Sequence, residues 1–198
     1  MKILVVLAHP NPKSFNAAIA QTVLQTLQAG GHEVIFHDLY AENFDPVLKA
    51  AEMGKDAVLP LEIQHYCREL ALAQGIIMIH PNWWGQPPAL LKGWVDRVFR
   101  PEVAYRFLEG DRGEGVPEGL LRAEAALVFT TSNTAPLREL EYFGDPLQNI
   151  WQNCIFRLCG ISRFLRQNFA IVVTSTPEQR REWLQQVTTI VEAFFPKV

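Results

Sequence analysis

The chain has 198 residues, of which 48% are hydrophobic and 20% charged. Those proportions are ordinary for a globular protein, and the length suffices for one domain that buries roughly 70–75% of its unfolded surface. A net charge of −3 gives no electrostatic reason to bind nucleic acid or an anionic membrane, and no apolar run reaches the roughly 18 residues of a membrane span. The apolar run Ile3 to Ala8 is too short for a secretory leader and is ended by His9-Pro10-Asn11-Pro12. Cys67, Cys154 and Cys159 have no metal-ligand spacing and leave an odd count, which suits buried packing in a reducing cytoplasm.

Apolar, β-branched runs alternate with helical patterns along the chain. Lys2 to Ala8 reads as the first strand and Ser14 to Ala29 as a helix, with Ser14 as its N-cap and Gly30-Gly31 as its stop. Glu33 to His37 is the second strand. The polar stretch Asp38 to Pro60 exceeds an ordinary loop, and so is either functional or partly disordered. A helix over Leu61 to Ala73 leads to a third strand, Gly75 to His80, whose unbroken apolar run marks a buried parallel strand. Ala89 to Phe99 reads as a helix and Arg100 to Gly119 as a long loop. Ala125 to Thr131 is the fourth strand, Asp145 to Cys159 a helix, Phe169 to Thr174 the fifth strand, and Pro177 to Phe195 the last helix. This alternation predicts a single α/β domain, a doubly wound five-stranded parallel sheet of flavodoxin-like order 2-1-3-4-5 with helices on both faces.

In such a sheet, ligands bind at the carboxyl ends of the strands, where the first and third strands lie side by side. The loop after the first strand, with His9, Ser14, Phe15 and Asn16, opens a helix whose free amides attract an anion. It is neither G-x-G-x-x-G nor a Walker loop, and its polar side chains suit a terminal phosphate or a pyrophosphate. The loop after the third strand, Pro81-Asn82-Trp83-Trp84-Gly85, places two adjacent indoles on a turn. They would cover a large flat ring such as a flavin, with backbone amides from Asn82 to Gly85 on its polar edge. Thr130, Thr131, Ser132 and Asn133 would close a third loop on the same ligand, whereas Trp94, in mid-helix, reads as core. The histidines show no metal spacing, and His65, between acids on its helix, reads as a solvated face. No nucleophile–base set stands out, so any redox chemistry falls to a bound cofactor.

These motifs resemble the flavodoxin-like NAD(P)H:quinone oxidoreductases, the DT-diaphorase type and its smaller bacterial homologues. The likeness is carried by Leu7-Ala8-His9-Pro10 with Ser14-Phe15-Asn16, Asp38-Leu39-Tyr40-Ala41 with Asn43-Phe44-Asp45-Pro46, and Pro81 to Trp84. It continues through Ala89 to Trp94 with Asp96-Arg97-Val98-Phe99, then Ala104-Tyr105 and Gly144-Asp145. The resemblance implies a flavin with its phosphate on the His9 to Asn16 loop and its ring against Pro81 to Trp84 and Thr130 to Asn133. It implies NAD(P)H as electron donor, a quinone or similar flat acceptor, and a homodimer whose active site is shared, with Tyr105 and Phe107 in the common pocket.

The chain departs from the family in three places. Ser132-Asn133 stands where many relatives have two glycines. DT-diaphorase-type members carry a tyrosine and a histidine shortly before Gly-Asp; here Phe143 precedes Gly144 and Tyr142 is only a neighbour, so no proton relay is assigned. A long C-terminal extension that helps some relatives hold FAD is lacking, which favours FMN over FAD. Two other roles stay open on the sequence: a flavin-binding regulatory subunit of a potassium-efflux system, and a flavodoxin-type electron carrier.

Overall fold

The computed structural model describes residues 1–54, 56–111 and 114–197. Five parallel strands form the sheet in the order β2-β1-β3-β6-β7, which is the predicted 2-1-3-4-5. β1 (Lys2–Leu7), β2 (Glu33–Asp38) and β3 (Gly75–Pro81) fall where the apolar runs place them. The short strands β4 (Tyr105–Arg106) and β5 (Glu118–Gly119) pair antiparallel within the stretch read as a long loop; Arg112 and Gly113 of that stretch lie outside the described residues. β6 (Ala125–Ser132) is buried throughout. β7 (Arg163–Ala170) closes the sheet beside β6.

Two apolar layers follow from the period of two along each strand. Ile3, Val5 and Leu7 of β1 face α1 (Phe15–Ala29) and α6 (Pro177–Phe194), meeting Ile19, Val23, Trp183 and Val187. Leu4 and Val6 face the opposite way, onto Ile63 and Leu70 of α2 (Leu61–Leu72) and Leu91 and Trp94 of α3 (Ala89–Val98). Central β3 has helices over both faces, and all seven of its residues are buried. Among the described residues, no helix is long and apolar enough to cross a membrane.

Four expectations are corrected. The fifth strand lies at Arg163–Ala170, not Phe169 to Thr174. The sheet-edge strand carries Arg166, Gln167 and Asn168 on its pleats, so apolarity alone pointed past it to Ile171-Val172-Val173. A helix absent from the sequence reading, α4 (Pro136–Phe143), follows β6. It ends in a left-handed cap: Gly144, at φ 67°, donates to the Leu140 carbonyl, and Asp145 reaches back to that of Glu139. The helix expected from Asp145 is α5 (Pro146–Asn149), which continues as a π-helix over Ile150–Arg157. On that π-helix Cys154 is exposed, while Cys67 and Cys159 are buried as expected.

The Asp38 to Pro60 stretch is tied to α3 through its described residues. Arg97 donates to both carboxylate oxygens of buried Glu52, at 2.8 and 2.6 Å, and to the Asp45 carbonyl at 2.5 Å. Its guanidinium also lies 5.5 Å from the centre of the Phe44 ring. Gly93 admits the crossing chain, since a Cβ there would stand 2.2 Å from the Pro46 carbonyl oxygen. Lys92-Gly93-Trp94 is thus a packing motif, with Trp94 fully buried beside Tyr66 and Phe99.

Below the end of β3, Trp151 Nε1–H donates to His80 Nε2 at 3.0 Å, and His80 Nδ1 lies 2.8 Å from the Pro81 carbonyl oxygen. An indole N–H only donates and a carbonyl only accepts, so His80 is neutral with its proton on Nδ1. Complete burial pushes its pKa from 6.5 down to about 4.

Two outcomes are expected. Glu52→Ala leaves Arg97 buried and unpaired and costs about 3–5 kcal/mol, read as a lower denaturation midpoint, and Arg97→Met in the same chain recovers part of that loss. For His80, the unfolded chain binds the extra proton between the two pKa values, so its contribution is complete above pH 6.5 and is lost as pH falls toward about 4. The loss is about 3 kcal/mol. Thermal denaturation across that window should show a shallower pH slope in His80→Gln.

Candidate functional site

The parallel register sets β1, β3 and β6 side by side with their carboxyl ends level: Leu7 pairs with Ile79, and Pro81 with Thr131. Their loops frame a cleft of about 400 Å³ lined by His9, Ser14, Phe15, Asn16, Pro81, Asn82, Trp83, Thr131, Ser132 and Asn133, together with Thr134, Val172 and Val173. Ten of the residues read from the sequence therefore meet there. Val172 and Val173 were missed, because the sequence reading placed them inside the fifth strand.

The first loop supplies hydrogen-bond donors. Ser14 caps α1 by accepting the Ala17 N–H at 3.1 Å, and its own hydroxyl proton remains available. The Phe15 and Asn16 amides, in the first turn, have no intrahelical acceptor. Asn16 is 1% exposed; its Oδ1 accepts from Thr131 Oγ1 at 2.7 Å, while its buried Nδ2 has no acceptor among the described residues. His9 accepts the Asn11 N–H through Nδ1 at 3.0 Å, leaving its ring proton on Nε2. Burial lowers its pKa, so at neutral pH His9 offers a hydrogen bond rather than a positive charge.

The second loop is a tight turn. Trp83 and Gln86 exchange backbone hydrogen bonds at 3.1 and 3.0 Å, and both residues between them are left-handed, Trp84 at φ 58° and Gly85 at φ 69°. This is the type I′ pattern, which favours Asn or Gly over a tryptophan. The two indoles separate at the turn. Trp83 walls the cleft, its ring centre 6.2 Å from that of His9, while Trp84 is fully exposed. Trp84 and Gly85 border an adjoining hollow of about 360 Å³ with Arg138, Glu139, Phe143 and Pro146. Most of the amides expected to meet a ring are occupied: Asn82 N–H donates to the Thr131 carbonyl at 2.7 Å, Gly85 N–H to Asn82 Oδ1 at 2.9 Å, and Trp83 N–H to Gln86. Only the Trp84 N–H remains for a ligand.

The third loop is braced from β7. Thr130 is fully buried beneath the cleft, donating to Asn168 Oδ1 at 3.0 Å and accepting from Arg166 at 3.1 Å. Ser132 Oγ accepts from Asn168 at 3.1 Å, and Asn133 Oδ1 takes the Val173 N–H at 2.9 Å. Arg166 also pairs with Asp145, which explains Gly144-Asp145: the glycine takes the left-handed helix end, and the aspartate anchors it to β7. Tyr105 and Phe107 pack edge-to-face with ring centres 5.7 Å apart, outside this cleft. His65 is an exposed partner of Glu69. Among the described residues, no His, Cys, Asp or Glu group could hold a metal ion.

The donor set fits a flavin. Free first-turn amides, the Ser14 hydroxyl and the unpaired Asn16 Nδ2 call for an acceptor-rich anionic group, and Trp83 beside them gives a flat wall for a ring.

Residues 1–193 match the family model described as flavodoxin-like fold. The chain is 35% identical to an uncharacterized NAD(P)H oxidoreductase of Haemophilus influenzae, over 81% of this chain and 79% of that protein. It is 30% identical to the ribosyldihydronicotinamide dehydrogenase [quinone] of Rattus norvegicus, over 96% of this chain and 91% of that one. A crystal structure from Streptococcus mutans, 32% identical, superimposes with a TM-score of 0.83, covering 98% of this chain and 100% of the other. The chain belongs to the flavodoxin-like fold family of NAD(P)H and quinone oxidoreductases, as its strand order and its first and second loops imply.

Proposed function

We propose that this protein is a flavin-dependent NAD(P)H oxidoreductase that passes two electrons from a reduced nicotinamide to a quinone or a similar flat acceptor. The observation that carries the reading is the pairing of free donors at the α1 N-terminus with an aromatic wall on the neighbouring strand loop. The relatives' names support the donor and the acceptor class. The flavin is FMN. When bound, it would accept hydride from the nicotinamide and pass two electrons to the acceptor.

The chain's own residues bind and orient. The Phe15 and Asn16 amides and the Ser14 hydroxyl hold a phosphate, helped by the helix dipole. Asn16 Nδ2 and His9 Nε2 donate to ligand acceptors, and Trp83 excludes water from one side of a ring. The exposed apolar side chains of Trp84, Leu137, Leu140, Tyr142 and Phe143 cluster on the turn and on α4 beside the cleft. They suit burial in a homodimer whose partner completes the pocket with its own aromatic loop, of which Tyr105 and Phe107 are part. Donor and acceptor both need the ring face beside Trp83, so they occupy the cleft in turn.

Three measurements test this reading. Asn16→Asp keeps the acceptor for Thr131 but turns the unpaired donor into a negative oxygen, and fluorescence titration should show FMN affinity lower by at least about tenfold, the loss of one charge-assisted hydrogen bond of about 1.5–3 kcal/mol. Unchanged affinity would place the phosphate and ring elsewhere. In steady-state assays with NAD(P)H and a quinone, reciprocal plots should be parallel, each substrate competing at high concentration. Intersecting lines would show both bound together and defeat the shared-site reading. Trp83→Ala should raise the acceptor KM more than it lowers the melting temperature.

A further inference from the structure

We infer that Glu139 is a positioning residue for the Trp83–Trp84 turn, acting through Asn82; this rests on the oxidoreductase reading of the cleft. Glu139 is 7% exposed on α4, and among the described residues no Lys, Arg or His nitrogen lies within the 4.0 Å of an ion pair. Burying a carboxylate without a cation is costly. Its Oε1 instead accepts from Asn82 Nδ2 at 3.0 Å. The other end of the same amide accepts the Gly85 N–H at 2.9 Å, and the Asn82 backbone N–H is held by the Thr131 carbonyl at 2.7 Å.

The direction of this relay is forced. A backbone N–H only donates and a carboxylate only accepts, so the Asn82 amide has one orientation. It spans from α4 to the left-handed turn like a strut. That turn needs holding, because a tryptophan at φ 58° is a conformation that persists only when its surroundings over-determine it. The other anchors are the Trp83–Gln86 backbone pair and the approach of Pro146, whose Cγ would lie 2.7 Å from a Cβ on Gly85. Of the three, only the Glu139 strut is charge-assisted, and such hydrogen bonds are roughly twice as strong as neutral ones. Glu139 borders the adjoining hollow and not the cleft itself, so its influence on a ring against Trp83 passes through Asn82.

The test reverses the hydrogen bond. Four variants are compared with the parent: Glu139→Gln, Glu139→Leu, Asn82→Asp, and Asn82→Asp with Glu139→Gln. Two readouts are used: amide hydrogen exchange at Gly85 by NMR without added flavin, and acceptor KM and kcat with FMN. Glu139→Gln still offers an acceptor but loses the charge assistance, so both readouts should fall between the parent and Glu139→Leu. Glu139→Leu and Asn82→Asp should speed Gly85 exchange by about tenfold or more and raise the acceptor KM more than they lower kcat, since about 1.4 kcal/mol is tenfold. The double variant restores the strut with donor and acceptor exchanged, and both readouts should return toward the parent. The inference is overturned if the double variant is no better than Asn82→Asp alone, or if Glu139→Leu leaves Gly85 exchange unchanged. Should Glu139→Leu fail to fold, the comparison of Asn82→Asp with the double variant decides. If exchange responds as expected but even the parent oxidises no NAD(P)H, the oxidoreductase reading falls and the strut stands. If the parent turns over and neither readout follows Glu139, the strut alone falls.

Discussion

The arrangement depends on one constraint: β3 runs parallel between β1 and β6 with every side chain buried. A strand covered on both faces has no freedom to slip, because a shift of one residue would exchange its two faces. The register therefore fixes how far each loop projects. The first helix begins beside the Trp83 turn, and the 130s loop closes beside both. The cleft is a consequence of packing below it, in the two apolar layers that cover the sheet.

Around that rigid edge, polar groups are used in two ways. Some are wholly committed within the protein: His80 to Trp151 and Pro81, Thr130 to Asn168 and Arg166, Arg166 to Asp145. These set loop positions and offer nothing outward. Others keep a donor free, namely the first-turn amides of α1, Asn16 Nδ2 and the ring N–H of His9. The division runs even within one side chain, since Asn16 Oδ1 is committed to Thr131 while its Nδ2 stays free.

The strand order and the meeting of the first and third loops were legible in the sequence, because apolar period and turn residues report burial directly. The first loop was legible in detail, as Ser14 and Asn16 sit at the start of a well-marked helix. What was not legible depended on pairing with distant residues. β7 is a strand because β6 offers it a ladder, not because Arg163 to Ala170 is apolar. α4 is short, begins at a proline, and turns apolar side chains outward, so its pattern contradicts the usual signal. The two tryptophans read as one wall, but the left-handed turn between them sends them apart, and only the backbone could reveal that. Glu139 gave no sequence signal, since its partner Asn82 is 57 positions away.

The separation of the indoles has an optical consequence. Of the five tryptophans, Trp94, Trp151 and Trp183 are buried in the core, Trp83 is partly exposed on the cleft wall, and Trp84 stands wholly in water. Core indoles emit at short wavelength and a hydrated one further to the red, so the protein's intrinsic emission is a composite of shielded and solvated components. A small aqueous quencher should remove the red edge first and shift the remainder to the blue. Packing against another chain would shield that same edge, and a ring lying on Trp83 would dim a different part of the spectrum. The unlabelled chain thus carries separate optical signatures for assembly and for filling of the cleft.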